Sequence, residues 1–255
     1  MSDTENPRVA VIGGGVAGLT AATFTARAGF DTVIINHGES VLQRNAHLEN
    51  VPGFPAGVNA RLFLDLLEAQ AGRNGCLFEQ GVVTTLAEAE DAEDGFRIRV
   101  EADEEFDLLA DYVVVASWSD TDYLEAIDGV GFIDRGSKTY IDIDDFGRTG
   151  VDGLYAAGRI AEKLHQTVVC AGHGAEVALT LVDDSDVPFY HDWVAPEGYF
   201  TDRGREVPPG CEEIDEQERR RRERESLEVM TEAFDERHPD EPTMHPSVAE
   251  RRDEG

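Results

Sequence analysis

Three glycines near the N-terminus have the spacing of a phosphate-binding turn. Gly13, Gly15 and Gly18 form a G-x-G-x-x-G pattern directly after an apolar run. In such a pattern the first glycine permits a tight turn, the second lets the backbone approach a pyrophosphate, and the third lets a helix pack against the strand. The first amide groups of that helix and its positive dipole end then face the phosphates. The pattern therefore predicts a dinucleotide site, with Val16 and Ala17 at the start of the helix.

The elements around these glycines favour that interpretation. A strand over Arg8–Ile12 precedes the turn and an alanine-rich helix over 16–28 follows it. Gly29 is placed to end the helix, and a second strand begins at Thr32. A glycine-rich turn in an ordinary α/β protein is the alternative, but the order strand, turn, helix, strand favours the dinucleotide site.

Negative charge is the outlier of the composition. The 255 residues include 53 Asp and Glu against 22 Lys and Arg, and the formal net charge is −31. Such a field repels nucleic acid and anionic membranes. A cytoplasm with molar salt, where charges are screened within about 3 Å, is the simplest explanation, and an acidic surface for a cationic partner is the alternative. Because the sequence shows no signal-peptide pattern and no apolar run of spanning length, we expect a halophilic, cytoplasmic protein.

The cysteines do not form a recognisable redox or metal motif. Cys76, Cys170 and Cys211 lie far apart, without a C-x-x-C pair or a zinc-binding spacing. The sequence therefore predicts no metal site and no dithiol of the usual kind.

The coarse pattern predicts an α/β fold: a Rossmann-like domain with a parallel sheet, a small antiparallel β meander, and a C-terminal extension with a charged helix. Asn59 can cap a helix over about 60–74. Its predicted buried side consists of apolar residues at helical spacing, namely Leu62, Phe63, Leu66, Leu67 and Ala71. Four β-type runs predict the meander: Cys76–Phe78, Val82–Leu86, Phe96–Val100 and Glu105–Leu109.

The composition changes after Val182, which predicts a boundary between a domain over 1–183 and an extension over 184–255. The aromatic segment Phe189–Trp193 could cover a ligand, form a homodimer interface or pack on its own domain. A charged helix over about 212–235 follows, and we expect a disordered end beyond Arg237. The arginines at 219–222 are interpreted as a solvated helix face, with an anion-binding patch as the alternative.

Three blocks of sequence resemble the FAD domain of thioredoxin reductase-like flavoproteins, within the pyridine nucleotide-disulfide oxidoreductase group. The first block is the glycine turn itself. The second is Leu48-Glu-Asn-Val-Pro-Gly-Phe-Pro, and the third is Gly150-Val-Asp-Gly-Leu-Tyr-Ala-Ala-Gly followed by His165-Gln-Thr-Val-Val-Cys. The resemblance spans about residues 7–183, and the second and third blocks are more specific than the first.

The resemblance implies FAD as the cofactor and gives roles to matching positions. Gly13, Gly15 and Gly18 would hold its pyrophosphate, and Gly158 would let the backbone approach the ribityl-phosphate region. Asn50 would lie beside the isoalloxazine, and Val83 would offer backbone groups to the adenine. Gln166 and Thr167 would direct backbone N–H groups toward flavin N1 and O2. Cys170 and His165 are candidates for catalysis near the flavin, although a packing cysteine and a structural histidine are the more ordinary interpretations.

The sequence also departs from the family pattern. Asn36 stands where the family has an acidic ribose ligand, Trp118 ends the turn that reads Ala-Thr-Gly in the family, and Arg159 replaces an aspartate that bonds the ribityl chain. Asn36 can still bond a ribose, and Arg159 could pair with a phosphate. The NADPH-binding module that interrupts the family's FAD domain is absent near 118–132.

These observations lead to one main hypothesis and two alternatives. The main hypothesis is an FAD-binding oxidoreductase that receives electrons from a separate donor, with an unknown acceptor. A non-catalytic binding or regulatory protein is the first alternative, motivated by Asn36, Trp118 and Arg159. The second is a protein that binds NADP in its single site, because Arg44 lies near Asn36 in sequence and could accommodate a 2′-phosphate.

Overall fold

The computed structural model describes residues 6–89, 95–118, 120–245 and 247–248. The helices of this described part are α1 (Val16–Arg27), α2 (Ala60–Arg73), α3 (Thr167–Asp184) and α4 (Glu216–Ala233). Its strands are β1 (Arg8–Ile12), β2 (Asp31–Asn36), β3 (Leu77–Gln80), β4 (Val82–Glu88), β5 (Phe96–Glu101), β6 (Phe106–Ala110), β7 (Tyr112–Val115), β8 (Phe132–Asp134), β9 (Thr139–Ile141), β10 (Leu154–Ala156), β11 (Trp193–Pro196) and β12 (Cys211–Ile214).

A five-stranded parallel sheet forms the centre of the fold. Its strand order is β10-β7-β1-β2-β3, and every pairing within it is parallel. The chain leaves β1 through α1 toward β2 on one side and later returns to β7 on the other side. The carboxyl end of β1 is therefore a topological switch point, where open α/β sheets bind ligands.

Alternating side chains of β1 build two cores. Val9 and Val11 contribute to a core that includes α1 and α3, whereas Ala10 and Ile12 contribute to a second core with the meander. The strand is buried on both faces, which explains its uninterrupted apolar sequence. These two layers hold the turn after β1 in a fixed position.

The predicted meander has three strands rather than four. β4, β5 and β6 form the antiparallel sheet, but β3 joins the main sheet as its parallel edge strand, with Val33 opposite Leu77. The expectation that the Cys76–Phe78 run belongs to the meander is therefore wrong. The reason is topological: α2 is a crossover connection that returns the chain parallel to β2.

The buried face of α2 also differs from the expected one. Leu64 and the aliphatic part of Arg61 are buried, whereas Leu66 is only half-buried. Arg61 lies inside because its guanidinium donates to the backbone carbonyls of Gln43 and Asn45, at 2.9 and 2.8 Å. The spacing of apolar residues could not predict that an arginine would be buried here. The carbonyls that accept its hydrogen bonds come from a segment 16–18 residues earlier in the sequence.

The C-terminal extension begins with a small parallel pair, β11 and β12. Asp192, just before β11, bonds Arg27 at the end of α1, with one N–O distance of 2.6 Å. The charged helix α4 is shorter than predicted because residues 211–214 belong to β12. Residues 238–245, where disorder was expected, are described, and His238 Nε2 lies 2.9 Å from Asp65 Oδ2.

The aromatic segment is only partly packed on its own domain, since Tyr190 and Trp193 are exposed. Phe189 packs against the core of α1 and α3, and Trp193 meets Tyr199 edge-to-face, with ring centroids 4.5 Å apart. Across the described residues, no helix is long and apolar enough to cross a bilayer. The described part of the chain also contains no cluster of His, Cys, Asp and Glu that could hold a metal ion.

Candidate functional site

The turn between β1 and α1 needs glycine at two positions for packing, and at a third position glycine faces open space. Gly13 has φ +117°, and a Cβ there would lie 2.6 Å from the Ala116 carbonyl oxygen. A Cβ at Gly18 would lie 1.9 Å from the Gly13 oxygen, so only glycine lets α1 approach the turn. A Cβ at Gly15 would meet a single atom within 4 Å, the Ser40 hydroxyl oxygen at 3.8 Å. Gly15 therefore borders open space rather than protein.

The second glycine turn lies against the first. Gly158, just after β10, has φ +76°, and a Cβ there would lie 2.6 Å from the Cβ of Ala17 on α1. The Gly158 N–H donates to Nδ1 of the buried His173 at 2.9 Å, which fixes the turn to α3. Two glycine turns that are about 145 residues apart in sequence thus converge beside the N-terminus of α1, as a dinucleotide site requires.

A cavity of about 780 Å³ opens at this place. Its size lies within the range of small-molecule and cofactor sites. It brings together most of the residues that the sequence indicated for cofactor binding or catalysis: Gly13, Gly15, Val16, Ala17, Asn36, Asn50, Val83, Arg159, His165, Gln166, Thr167 and Cys170. Gly18 and Gly158 do not line the cavity; they lie behind it, where they allow the two turns to pack.

Two helices begin at the cavity without a side-chain cap. The N-cap residues are Gly15 for α1 and Gln166 for α3, and neither side chain accepts a bond from its helix. Neither helix has an acidic residue in its first turn. The free amide groups and positive dipole ends of both helices are therefore available to an anionic ligand.

The Asn36 side chain makes two hydrogen bonds to the protein backbone. Its Oδ1 accepts from the Gly14 N–H at 2.9 Å, and its Nδ2 donates to the Gly38 carbonyl at 3.3 Å. Asn36 therefore holds the glycine turn in place while its side chain borders the cavity. Arg44, which motivated the NADP alternative, is not among the residues that line the cavity.

Asn50 and Gln166 connect opposite sides of the cavity. Asn50 Nδ2 donates to Gln166 Oε1 at 2.9 Å, although the two residues are 116 positions apart. This bond fixes the Asn-Val-Pro-Gly-Phe-Pro loop against the start of α3. The loop also supplies lining residues that sequence reasoning missed, such as His47 and Leu48, since nothing in their types marks them.

Trp118 has left-handed backbone geometry at the same end of the cavity. Its φ is +65°, which a bulky residue rarely adopts and glycine adopts freely. Glycine is the residue that the family resemblance places here. The Trp118 ring meets the His165 ring edge-to-face, with centroids 4.6 Å apart, and Lys138 Nζ lies 4.9 Å from the Trp118 ring centroid.

Arg159 reaches the cavity with one donor unused. Its guanidinium lies over the Tyr140 ring, with Cζ 4.8 Å from the centroid, and donates to the Tyr140 hydroxyl and the Lys163 carbonyl. Its buried Nε has no hydrogen-bond partner among the described residues. Since this Nε has almost no solvent-accessible surface, a ligand in the cavity would not reach it, and Arg159 borders the cavity through other atoms.

The two candidate catalytic residues differ in their environment. Burial raises the pKa of the Cys170 thiol, which keeps it protonated and so argues against an activated thiolate. His165 lines the cavity, and its pKa is lowered first by desolvation and then by the charges of Arg159 and Lys138. His165 is therefore neutral near pH 7 and can donate or accept one hydrogen bond at each ring nitrogen.

Fold and cavity together define a Rossmann-like dinucleotide-binding protein. Residues 7–117 match the family described as pyridine nucleotide-disulphide oxidoreductase. Thioredoxin reductase of Aquifex aeolicus (strain VF5) is 38% identical over 77 residues, which are 29% of this chain and 24% of that protein. Dihydrolipoyl dehydrogenase of Haloferax volcanii is 27% identical over 209 residues, 79% of this chain and 39% of that protein.

Solved structures show the same fold. The atypical thioredoxin reductase TRi from Desulfovibrio vulgaris Hildenborough superposes with a TM-score of 0.58 at 17% identity, over 72% of this chain and 100% of that chain. Thioredoxin reductase from Streptococcus pyogenes MGAS5005 gives 0.60 at 14% identity, over 71% and 99%. At such identities these likenesses establish the fold alone.

The comparisons support the resemblance that the sequence predicted: residues 7–117 match the pyridine nucleotide-disulphide oxidoreductase family, and the chain is similar to thioredoxin reductases in sequence and fold. The proteins that the chain resembles are FAD-binding flavoproteins, so the comparisons support FAD as its cofactor. The matched segment spans about a quarter of the length of the curated thioredoxin reductases.

Proposed function

We propose that this chain is an FAD-dependent oxidoreductase that receives electrons from a separate donor and passes them to a separate acceptor. The observation that supports it is the convergence of two glycine turns and two uncapped helix N-termini on one cavity. When bound, FAD supplies reversible two-electron redox chemistry. The protein supplies binding, orientation and electrostatics.

The residues present fit such a cofactor. The amide groups at Gly15, Val16 and Ala17 would hold the pyrophosphate, and the space beside Gly15 leaves room for it. Gly81 and Val83, at the start of the meander, would border the adenine end together with Asn36. At the other end, Gln166, Thr167 and Arg159 would face the flavin, where positive groups stabilise negative charge and raise its potential.

A separate donor is proposed because the chain provides little room for a second nucleotide site. Between β7 and β8 lie only residues 116–131, and their described part contains a short 3-10 turn, Asp122–Leu124. A second Rossmann module with its own glycine pattern needs many more residues than this. We also propose molar salt as the working environment, since the net charge of −31 requires screening. The same negative charge disfavours nucleic acid and anionic membranes as partners, and sedimentation in molar salt would show whether the chain forms a homodimer.

Anaerobic turnover separates this proposal from a non-catalytic role. The FAD-loaded protein in molar salt would be reduced chemically, then mixed with a two-electron acceptor such as a soluble quinone, while its visible absorbance is followed. Repeated reduction and reoxidation without loss of FAD is the expected result. Flavin that binds but cannot be reduced and reoxidised would instead favour a regulatory protein that has kept the fold.

A further inference from the structure

The segment that follows α4 returns to the region of the cavity. Phe234 comes directly after the last residue of α4, and its ring lies beside that of Phe54, with centroids 6.2 Å apart. Further along the chain, the Thr243 N–H donates to the Gln43 carbonyl at 3.3 Å. We call residues 234–243 the brace. The two contacts at its ends both fall in the connection between β2 and α2.

That connection supplies more of the cavity lining than any other segment. Most residues between 39 and 50 line the cavity, up to and including Asn50. We call residues 39–50 the wall. All of them lie in the described part of the chain, and only Leu42 and Leu48 among them are buried. A segment with so few buried side chains opens easily unless other parts of the molecule hold it.

Two donors from outside the wall share one of its carbonyl groups. The Gln43 carbonyl accepts from the Thr243 N–H at 3.3 Å and from the Arg61 guanidinium at 2.9 Å. Arg61 belongs to α2 and Thr243 to the brace, so two separate elements hold the same atom. Gln43 lies in the short 3-10 turn Val41–Arg44, whose first two residues line the cavity. These hydrogen bonds therefore fix the turn that borders the ligand space.

Just beyond the other end of the wall, Phe54 is held by two rings. It lies beside Phe234 of the brace and meets Phe63 of α2 edge-to-face, with centroids 6.0 Å apart. Phe54 belongs to the same loop as Asn50, whose side chain bonds Gln166 across the cavity. The aromatic contacts therefore keep in place the loop that carries Asn50.

His238 anchors the middle of the brace to α2. Its side chain is 9% exposed, and its Nδ1 accepts from the Asp240 N–H at 3.1 Å. In the neutral ring Nε2 then carries the proton and donates to Asp65 of α2, at 2.9 Å. Because the middle is anchored, the contacts at the two ends of the brace form within one molecule and cost less ordering entropy.

We propose that the brace positions the wall for the ligand of the cavity, with Phe234 and Thr243 as positioning residues. None of residues 234–243, all of which the structure describes, lines the cavity, so the brace acts through the wall. Its effect on FAD affinity rests on the proposed function, but its hold on the wall does not. Since coupling between two sites is reciprocal, FAD that orders the wall must also strengthen the contacts of the brace.

Amide hydrogen exchange of the full chain without FAD tests the hold on the wall. Phe234→Ala combined with Thr243→Pro removes the ring and the N–H donor, and Phe234 is 45% exposed, so the double variant should fold. The matched control combines Leu227→Ala, at an exposed position of α4, with Thr243→Ala, the conservative change that keeps the N–H. We expect exchange over residues 41–54 to be about tenfold faster in the double variant than in the control, with β1 unchanged in both.

Titration with FAD then tests the effect on the cofactor. The double variant should bind FAD about tenfold more weakly than the control, whereas Phe234→Tyr, which keeps the ring, should retain the wild-type affinity. FAD should also slow amide exchange over residues 238–245 in the wild type, as reciprocal coupling requires.

The outcomes distinguish the brace from the proposed function. Equal wall exchange in the double variant and its control would overturn the brace. Faster exchange throughout the chain would also overturn it, since that result shows a general loss of stability. Faster wall exchange with unchanged FAD affinity would overturn the role in cofactor binding. If the wild type does not bind FAD, the proposed function fails, while wall exchange in the protein without FAD still decides whether the brace positions the wall.

Discussion

The four helices differ in how their N-termini are satisfied, and the difference follows the cavity. α2 is capped by the Asn59 side chain, and α4 by Asp215, whose carboxylate accepts from the Glu218 N–H at 2.7 Å. α1 and α3, which begin at the cavity, have no such cap. A capping side chain is worth about 1 kcal/mol, so leaving two helix ends open has a cost that a bound anion can offset.

Cations show the same contrast between the cavity and α4. Arg219, Arg220, Arg221 and Arg222 each pair with glutamates on or next to their own helix, at distances of 2.5–3.0 Å. Arg159, which lines the cavity, instead donates to the Tyr140 hydroxyl and the Lys163 carbonyl. These four arginines of α4 are therefore neutralised by their own surroundings, whereas the cation that borders the cavity is held by neutral oxygens only.

Gly15→Asp should have the largest effect, because it would give α1 the side-chain cap that α2 and α4 have and α1 lacks. The backbone at Gly15 is extended, with φ −86°, and a Cβ there has space, so the variant should fold. We expect stability without FAD to be unchanged or raised by about 1 kcal/mol, and FAD affinity to fall by about a hundredfold or more. Chemical denaturation and fluorescence titration with FAD measure the two effects.

Gly172→Ala is the matched control for this substitution. Gly172 is exposed on α3, and a Cβ there would meet nothing within 4 Å. Alanine should raise stability by about 0.5–1 kcal/mol and leave FAD affinity unchanged. Wild-type affinity in Gly15→Asp would contradict the assignment of the α1 N-terminus to the pyrophosphate.

Away from the cavity, His173 lacks one hydrogen-bond partner among the described residues, because it is buried where it holds the Gly158 turn against α3. It is 4% exposed, its Nδ1 accepts from Gly158, and its Nε2 lacks a partner among the described residues. Burial is the main cause that lowers the pKa of His173 from 6.5 to about 4. The unfolded chain therefore binds a proton near pH 6.5 that the folded protein takes up only near pH 4, so acidification between these values favours unfolding.

His173→Asn tests this linkage, since asparagine can still accept from the Gly158 N–H but does not titrate. Relative to the variant, the wild type should lose on the order of 2 kcal/mol of unfolding free energy between pH 6.5 and pH 4. Denaturant unfolding at constant salt over this range measures it. Parallel pH profiles for the two proteins would show that His173 is not the group responsible.

Asp215→Ala removes a cap far from the cavity. The loss of its bond to the Glu218 N–H should cost about 1 kcal/mol of stability, or unfold α4 locally, without a change in FAD affinity. Hydrogen exchange of α4 amides and FAD titration measure the two effects. An affinity change of more than a few fold would mean that α4 contributes to the site.

Arg220→Gln should have the smallest effect. The pair with Glu216 is exposed and lies at i,i+4 on α4, so its loss should cost about 0.3–0.5 kcal/mol at low salt and nothing measurable in molar salt. Thermal unfolding at two salt concentrations tests this. An effect that persists in molar salt would indicate a tertiary role for the helix surface.

The sequence predicted the parts of the fold that depend on local pattern. The strand, glycine turn and helix over residues 8–27 follow from apolar periodicity and glycine spacing, and α2 follows from its Asn59 cap. The placement of β3 could not be predicted, because a short β-type run does not say which sheet it joins. The shorter α4 has the same cause, since β12 pairs with a strand about 18 residues away.

The two turns of the site could be predicted from the sequence, because their backbone conformation or close packing requires glycine. Gly13, Gly18 and Gly158 stand where the structure needs a positive φ or a close approach. The left-handed Trp118 was visible only through the resemblance, since no physical rule favours tryptophan there. The approach of Lys138 to the Trp118 ring was not predicted, because it depends on the hairpin of β8 and β9.

The central claim is that the two glycine turns and the two open helix ends bind one FAD. It is tested most directly by incubating the purified protein with FAD in molar salt, removing free FAD by gel filtration, and recording the visible absorbance of wild type and Gly15→Asp. The account predicts flavin bands at about one FAD per chain in the wild type and their absence in the variant. A colourless wild-type protein would contradict it.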